Sequence, residues 1–197
     1  AEITLLATEN HSYRFLTKPF LIPLLILLYI VSTKDKIQIP KDIIIWALLF
    51  SWAGDLFLMK DGFFIPGLIS FLTAHFCYIL FLSKTKSDQT SFFKLRPVML
   101  IAVLAYLIEL MYLLWPHLGG MKIPVLIYGL TISVMLSAAF WQYQKLETRT
   151  ALYFIVGAIF FVLSDSLLAL NKFKTNFVMA DISIMSTYIL AQLLIVL

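Results

Sequence analysis

The sequence predicts an all-α bundle of membrane-spanning helices. Hydrophobic residues make up 61% of its 197 residues and charged residues only 13%, whereas a soluble domain is closer to half apolar and a quarter charged. The mean hydropathy is +0.94. Apolar segments of about 20 residues, the length that a helix needs to cross a bilayer, alternate with short polar connections. No connection is long enough for a soluble domain, so we expect residues 1–197 to form a single integral membrane domain.

Seven segments have the length and composition of a membrane span or nearly so. The first is short and begins at Lys18-Pro19, where proline costs little because the first N–H groups of a helix have no partner anyway. An apolar stub at 2–8 resembles the end of a further helix, so we expect eight spans, the first truncated in this chain. The seven segments are 18–32, 41–59, 62–83, 95–115, 121–143, 150–170 and 177–197.

The charged loops predict an orientation in the membrane. A net charge of +4 spread over short loops is typical of contact with a membrane surface, and we expect no nucleic-acid partner. Loops 33–42, 84–96 and 142–150 hold nine Lys and Arg residues against six on the other side. This bias favours the first set as cytoplasmic in a bacterial inner membrane, with both ends of an eight-helix chain inside. Asp55, Glu109 and Asp165 then lie in the outer halves of their helices.

A faint internal repeat predicts that four helices are followed by four similar ones. Lys18-Pro19 corresponds to Lys122-Ile123-Pro124, and the residues around Asp55 correspond to those around Asp165, at offsets of 104 and 110 residues. A parallel duplication of this kind would place a site between the halves. Chance similarity between leucine-rich helices is the alternative.

Asp55 and Asp165 each interrupt an apolar segment. An ionisable group at membrane depth costs about 2.5–3.5 kcal/mol on insertion scales, and folded domains are stable by only about 5–15 kcal/mol. Two carboxyls in such settings therefore indicate function, and we expect them to face each other and carry the chemistry. The alternative is that each only bonds a neighbouring helix.

Small polar residues accompany both aspartates. Ser51 lies four residues before Asp55 and shares its helix face, while Gly54 allows another helix to approach closely. Ser164 and Ser166 flank Asp165, and their hydroxyls could donate to the carboxylate or help to hold water.

Further polar residues in the apolar segments could line the same site. Glu109 follows Tyr106 by three residues and shares its face, and Tyr188 and Gln192 form one stripe on the last segment. The ordinary roles of such side chains are interhelical hydrogen bonds and, for the lysines, snorkelling to the interface. An ammonium at a helix mouth could also bind a phosphate. The candidates for substrate binding are Lys18, Ser51, His75, Glu109, Lys122, Tyr128, Ser164, Tyr188 and Gln192.

Several chemistries have no counterpart in the sequence. It has no Gly-x-Ser-x-Gly nucleophile elbow, no His-Glu-x-x-His zinc motif and no glycine-rich nucleotide loop. Cys77 is its only cysteine, so there is no internal disulfide. The remaining set, two carboxyls with Tyr, Ser and His, suits acid–base hydrolysis without a metal or another cofactor. A proton-coupled transporter or lipid-binding membrane protein would use the same carboxyls.

A set of short motifs occurs in order along nearly the whole chain: Lys18-Pro19, Gly54-Asp55-Leu56-Phe57-Leu58, His75 with Tyr78, residues 161–166 and Thr187-Tyr188-Ile189-Leu190-Ala191-Gln192. In these motifs the sequence resembles the YhhN-type lysoplasmalogenase family of integral membrane hydrolases. The resemblance implies an eight-spanning fold and a lysophospholipid substrate taken from membrane lipid. The implied reaction cleaves the vinyl ether bond of a lysoplasmalogen to a fatty aldehyde and a glycerophospho-alcohol.

Two carboxyls suit that reaction. Protonation of the vinyl ether gives an oxocarbenium-like cation that water attacks, so one carboxylic acid and one carboxylate can divide the work as they do in glycosidases. Two carboxyls close together in an apolar site can share one proton at neutral pH. The hypothesis is that Asp55 and Asp165 are this pair, with Lys18 or Lys122 at the phosphate.

Overall fold

Every described element of the computed structural model is a helix, which confirms the all-α prediction. The structure describes residues 11–33, 41–84, 97–142 and 148–197, without the side chains of residues 11–18, 142 and 148. The helices are α1 (His11–Ser32), α2 (Lys41–Leu58), α3 (Phe64–Lys84), α4 (Pro97–Leu114), α5 (Lys122–Gln142), α6 (Thr148–Phe173) and α7 (Ala180–Val196), with 3₁₀ turns at Trp115–His117 and Gly119–Met121.

Four of these helices are long and apolar enough to cross a membrane. They occupy Phe64–Lys84, Pro97–His117, Gly119–Trp141 and Arg149–Phe173, and shorter apolar helices lie at Pro19–Ser32 and Ala180–Val196. The chain is therefore an integral membrane protein with a bundle of apolar helices. The predicted stub at 2–8 lies outside the described residues.

Six of the seven predicted segments match a helix to within three residues at each end, but the predicted start of the first is wrong. Helix α1 begins at His11, so Pro19 and Pro23 both lie inside it. Lys122 does open helix α5. The two Lys-Pro motifs therefore occupy different positions in their helices, and this part of the predicted repeat fails.

A tryptophan compensates for the proline in the middle of α1. Pro23 has no N–H, so the carbonyl of Pro19 lacks the hydrogen bond that a helix normally gives it. The indole Nε1 of Trp52, on α2, donates to that carbonyl at 2.8 Å. Trp52 thus gives the Pro19 carbonyl a hydrogen bond that surrounding lipid cannot provide.

Trp52→Phe should lower the free energy of unfolding by about 1–3 kcal/mol, because it leaves the Pro19 carbonyl without its donor. Thermal unfolding in detergent measures the change. Trp46→Phe is the matched control, since Trp46 is 56% exposed and should tolerate the change. In a Pro23→Ala background the helix regains its own N–H donor, so the effect of Trp52→Phe should shrink. An undiminished effect there would contradict this role.

Helices α1 to α3 belong to one compact unit, which extends to Thr85. Helices α2 and α3 approach closely at two glycines, and a Cβ on Gly54 would lie 2.6 Å from the ring of Phe71. A Cβ on Gly67 would lie 2.8 Å from Leu58. The turn between them contains Gly62 at φ 81°, a conformation that favours glycine. The close approach expected at Gly54 is confirmed.

Gly54→Ala should destabilise the protein, although alanine normally favours a helix by about 1 kcal/mol over glycine. The added methyl overlaps the Phe71 ring, and such overpacking costs about 1–3 kcal/mol. Thermal unfolding of Gly54→Ala, Gly120→Ala and Gly54→Ala/Phe71→Leu tests this. Gly120 has nothing within 4 Å of a Cβ, so its variant should be neutral. Failure of Phe71→Leu to relieve part of the Gly54→Ala defect would refute the contact.

Helices α4 to α6, with α7 as far as Ile195, belong to the second compact unit. Small residues set the helix contacts here too. A Cβ on Gly129 of α5 would meet Leu107 of α4 at 2.8 Å, and one on Gly157 of α6 would lie 3.1 Å from the Ala191 carbonyl of α7. Toward the end of α4 the apolar core consists of Leu107, Met111, Leu114, Leu118 and Val125.

Candidate active site

The second unit holds Asp165 on α6 by a hydrogen bond from the neighbouring helix. Tyr128 of α5 donates its hydroxyl proton to Oδ2 of Asp165 at 2.7 Å. This hydrogen bond fixes the direction of the carboxylate. Because Asp165 is only partly buried, another molecule can still contact it. Tyr128, a predicted site residue, therefore contacts a predicted catalytic residue directly.

The serines on either side of Asp165 donate their hydroxyl protons elsewhere. Ser164 donates its hydroxyl proton to the Ile184 carbonyl of α7 at 3.0 Å, and Ser166 donates to the Val162 carbonyl. Because a serine hydroxyl has one proton, neither is left to donate to the carboxylate. Of the two roles predicted for these serines, donation to Asp165 is therefore wrong. The other role, helping to hold water, stays a prediction. Ser164 instead ties α6 to α7.

A second tyrosine completes the polar cluster around Asp165. The Tyr106 hydroxyl of α4 hydrogen-bonds Ser166 Oγ, and since the serine proton is used on Val162, Tyr106 is the donor. Tyr106 also interacts electrostatically with Asp165. Sequence reasoning noted Tyr106 only as the neighbour of Glu109 on one helix face and did not include it in the site.

Helix α7 brings a third tyrosine to this cluster. The ring of Tyr188 packs edge-on against Phe161 of α6, with ring centroids 5.6 Å apart. Tyr188 and Gln192 are both buried, as a polar stripe facing inward requires. All four helices of the unit therefore contribute to the environment of Asp165.

A cavity of about 440 Å³ opens beside the Tyr106–Ser166 pair. This volume lies within the range of about 300–1,000 Å³ typical of ligand sites. Its walls come from α4, α5 and α6 and are mostly aliphatic. They are formed by Tyr106, Glu109, Leu110, Leu113, Leu136, Ile159, Val162, Leu163, Ser166, Leu167 and Leu170.

The first unit buries a separate set of polar groups. Ser51 and Asp55 lie on the buried face of α2, and His75 of α3 is 0% exposed. The Nδ1 of His75 lies 2.7 Å from the Phe71 carbonyl. A carbonyl only accepts, so Nδ1 carries a proton and Nε2 of the neutral ring is the acceptor. Among the described residues, no group hydrogen-bonds the Ser51 hydroxyl.

The two lysines expected at a phosphate differ in what the structure describes. The side chain of Lys18 lies outside the description. Lys122 is the first residue of α5, and its Nζ lies 5.1 Å from the ring centroid of Trp115. Cation and indole thus meet where the α4–α5 connection leaves the apolar helices, an arrangement typical of a membrane interface. Phosphate binding stays a prediction, as does the meeting of Asp55 and Asp165.

A comparison with known protein families identifies the family of this chain. Residues 13–197 match the YhhN family along their whole length. The chain belongs to the YhhN family.

Named relatives of this YhhN chain are lysoplasmalogenases. Human lysoplasmalogenase TMEM86A is 34% identical over 165 residues, covering 76% of the chain and 62% of the relative. Human lysoplasmalogenase TMEM86B is 34% identical over 152 residues, covering 77% and 60%. A lysoplasmalogenase of Mycobacterium tuberculosis is 28% identical over 193 residues, covering 95% and 72%. The chain thus spans less than two thirds of the length of the human relatives, and no solved structure matches it.

The YhhN chain places two kinds of chemistry side by side in its second unit. A carboxylate with a tyrosine donor can transfer protons, and an aliphatic cavity can hold a hydrocarbon chain. Within the described ranges, no three His, Cys, Asp or Glu side chains come together as a metal site would need.

Proposed function

We propose that this chain is a lysoplasmalogen hydrolase that cleaves a vinyl ether bond by carboxyl acid–base catalysis. The observation that carries the proposal is the Asp165 carboxylate, oriented by Tyr128 at 2.7 Å and adjacent in sequence to Ser166, which lines an aliphatic cavity. Membership of the YhhN family, with relatives named lysoplasmalogenase, supports the same reaction.

The reaction needs one proton delivered and one removed. A carboxylic acid protonates the β-carbon of the vinyl ether, which leaves an oxocarbenium cation at the α-carbon and ether oxygen. Water adds to the α-carbon and loses a proton to the second group, a carboxylate, giving a hemiacetal. The hemiacetal hydroxyl then loses its proton to the first carboxyl, now a carboxylate, while the carbon–oxygen bond breaks and the second carboxyl returns its proton to the glycerol oxygen. A fatty aldehyde leaves, the glycerol oxygen becomes a hydroxyl, and both carboxyls are back in their starting states.

Asp55 is the second carboxyl of the proposal. It is buried, 4% exposed, on the α2 face that also carries Ser51, and a carboxyl buried in an apolar helix is a candidate functional group because it costs stability. His75, Tyr188 and Gln192 are proposed to line the substrate site, and Lys122 or Lys18 to meet the phosphate. All proton transfers use side chains of the chain, so we expect a chelator to leave the rate unchanged.

The orientation predicted from the loops is part of the proposal. With residues 84–96 cytoplasmic in a bacterial inner membrane, the α4–α5 connection with Trp115 and Lys122 lies on the outer face. A lysolipid of the outer leaflet would then present its phosphate to Lys122. Labelling of a cysteine introduced at His117 by an impermeant reagent in whole cells, in a Cys77→Ser background, checks the orientation.

Asp55→Asn and Asp165→Asn should each reduce aldehyde release by about 10²–10⁴-fold, the usual contribution of a general acid or base. Purified protein in detergent is given a lysoplasmalogen, and the aldehyde is measured. Detergent micelles offer no second compartment, so turnover there also excludes a pure transporter. Asp61→Asn is the matched control, because Asp61 is exposed in the α2–α3 turn. Full activity in either test variant removes that aspartate from the mechanism.

Tyr128→Phe should lower kcat by about 10-fold or more while KM changes little, because Tyr128 is a positioning residue that acts through the Asp165 carboxylate. Its loss should also displace the pH–rate profile. Tyr112→Phe is the control, since Tyr112 is 79% exposed. A Tyr128→Phe enzyme with an unchanged kcat and pH profile would show that the hydrogen bond is only structural.

A further inference from the structure

The cavity of the second unit has the dimensions of a site for one hydrocarbon chain. Its wall on α6 runs from Ile159 to Leu170, which at 1.5 Å per residue is about 16 Å. One lipid chain spans half of the hydrocarbon core, about 15 Å. The whole groove between α4 and α6 is therefore about as long as one lipid chain, and its part between Ser166 and Ile159, about 10 Å long, can hold most of such a chain.

The cavity opens sideways toward lipid. Leu163 and Ile159 on its rim are 43% and 45% exposed, while Val162 at its base is 7% exposed. Exposed aliphatic side chains on a membrane-spanning helix contact lipid chains. A lipid can thus enter from the bilayer without passing through water.

The polar groups give the groove a direction. The contact of Tyr106 with Ser166 lies near its middle, with Glu109 one turn nearer the end of α4 where Trp115 and Lys122 lie. Beyond Ser166 in the other direction, toward Ile159, the wall of α6 is aliphatic. A bound lipid would direct its head group to the Lys122 end and its chain toward Ile159.

The polar side chains of the cavity offer hydrogen-bond acceptors rather than donors. The proton of Ser166 is used on the Val162 carbonyl, and that of Tyr106 on Ser166. The carboxyl oxygens of Glu109 accept hydrogen bonds, and among the described residues no cation forms an ion pair with them. Lone pairs on Tyr106 and Glu109 are what the cavity offers, so its complement is a hydrogen-bond donor.

We propose that this cavity selects single-chain lipids by their free glycerol hydroxyl, which donates to Glu109 and Tyr106 while the chain occupies the groove beyond Ser166. A lysolipid has this hydroxyl. A lipid acylated or alkylated at that position presents only acceptor oxygens and leaves the lone pairs of Tyr106 and Glu109 unmatched. Sites built to bond a substrate hydroxyl reject analogues that lack it. The inference rests on the proposed function for its substrate, and names the specificity determinant.

Equilibrium binding of two saturated ether lipids tests the hydroxyl. One is a 1-O-alkyl-glycerophosphocholine with a free hydroxyl, and the other is its 2-O-methyl ether. Neither contains a vinyl ether. Protein in nanodiscs should prefer the first by about 5- to 10-fold, as expected for one hydrogen bond. Glu109→Leu should reduce this preference to about twofold or less, because it weakens the binding of the hydroxyl lipid. Tyr112→Leu, on the same helix but outside the cavity, should leave the preference unchanged.

A second variant tests the chain. Leu163→Trp narrows the groove beyond Ser166, so it should weaken the binding of a long-chain hydroxyl lipid much more than the binding of a short-chain one. Leu152→Trp is its control, because Leu152 is equally exposed at 44% on the same helix but outside the cavity. Equal affinity for the hydroxyl and methyl lipids, or a preference that survives Glu109→Leu, overturns the proposal.

The result is separable from hydrolysis because these lipids are not cleaved. If the protein binds the hydroxyl lipid selectively but releases no aldehyde from a lysoplasmalogen, the proposed binding site stands and the proposed hydrolase activity is refuted. If it releases aldehyde but shows no such selectivity, the activity stands and the binding site is refuted.

Discussion

A carboxyl group inside an apolar helix must find its hydrogen bonds within the protein, because lipid offers none. The bond from Tyr128 to Asp165 meets this requirement across two helices. It also fixes the carboxylate in one direction, which proton transfer needs. Tyr106 and Ser166 extend the polar surface from Asp165 to the edge of the cavity. The hydrogen bond that satisfies the Asp165 carboxylate inside the bundle therefore also orients it for proton transfer.

The same constraint explains features far from Asp165. Pro23 removes a backbone donor from α1, and the indole of Trp52 replaces it. Ser164 uses its proton on a carbonyl of the next helix. Small residues make such reach possible, because helices that approach closely at Gly54 or Gly157 bring short side chains within bonding distance of their neighbours. Polar groups in this protein therefore join helices as well as form a site.

Sequence reasoning predicted what depends on composition and spacing. Apolar segment length located the helices α2 to α7 to within a few residues, and the family resemblance was confirmed. It misplaced the start of α1, because Lys18-Pro19 has the pattern of a first turn, whereas the helix in fact continues through both Pro19 and Pro23. It also allowed Ser164 and Ser166 to donate to Asp165. Sequence neighbours of an aspartate on a helix point in other directions, and the donor Tyr128 is 37 residues away. The groove that Tyr106 and Glu109 line depends on how α4 packs on α6, which no spacing rule specifies.

The central claim is that Asp55 and Asp165 act as one pair on one substrate. Cross-linking tests it most directly. Asp55→Cys and Asp165→Cys are introduced together in a Cys77→Ser background and treated with the shortest bifunctional methanethiosulfonate. The account predicts an intramolecular link, found by mass spectrometry and suppressed by a lysolipid. Labelling of each cysteine by a monofunctional reagent, with no link between them, would contradict it.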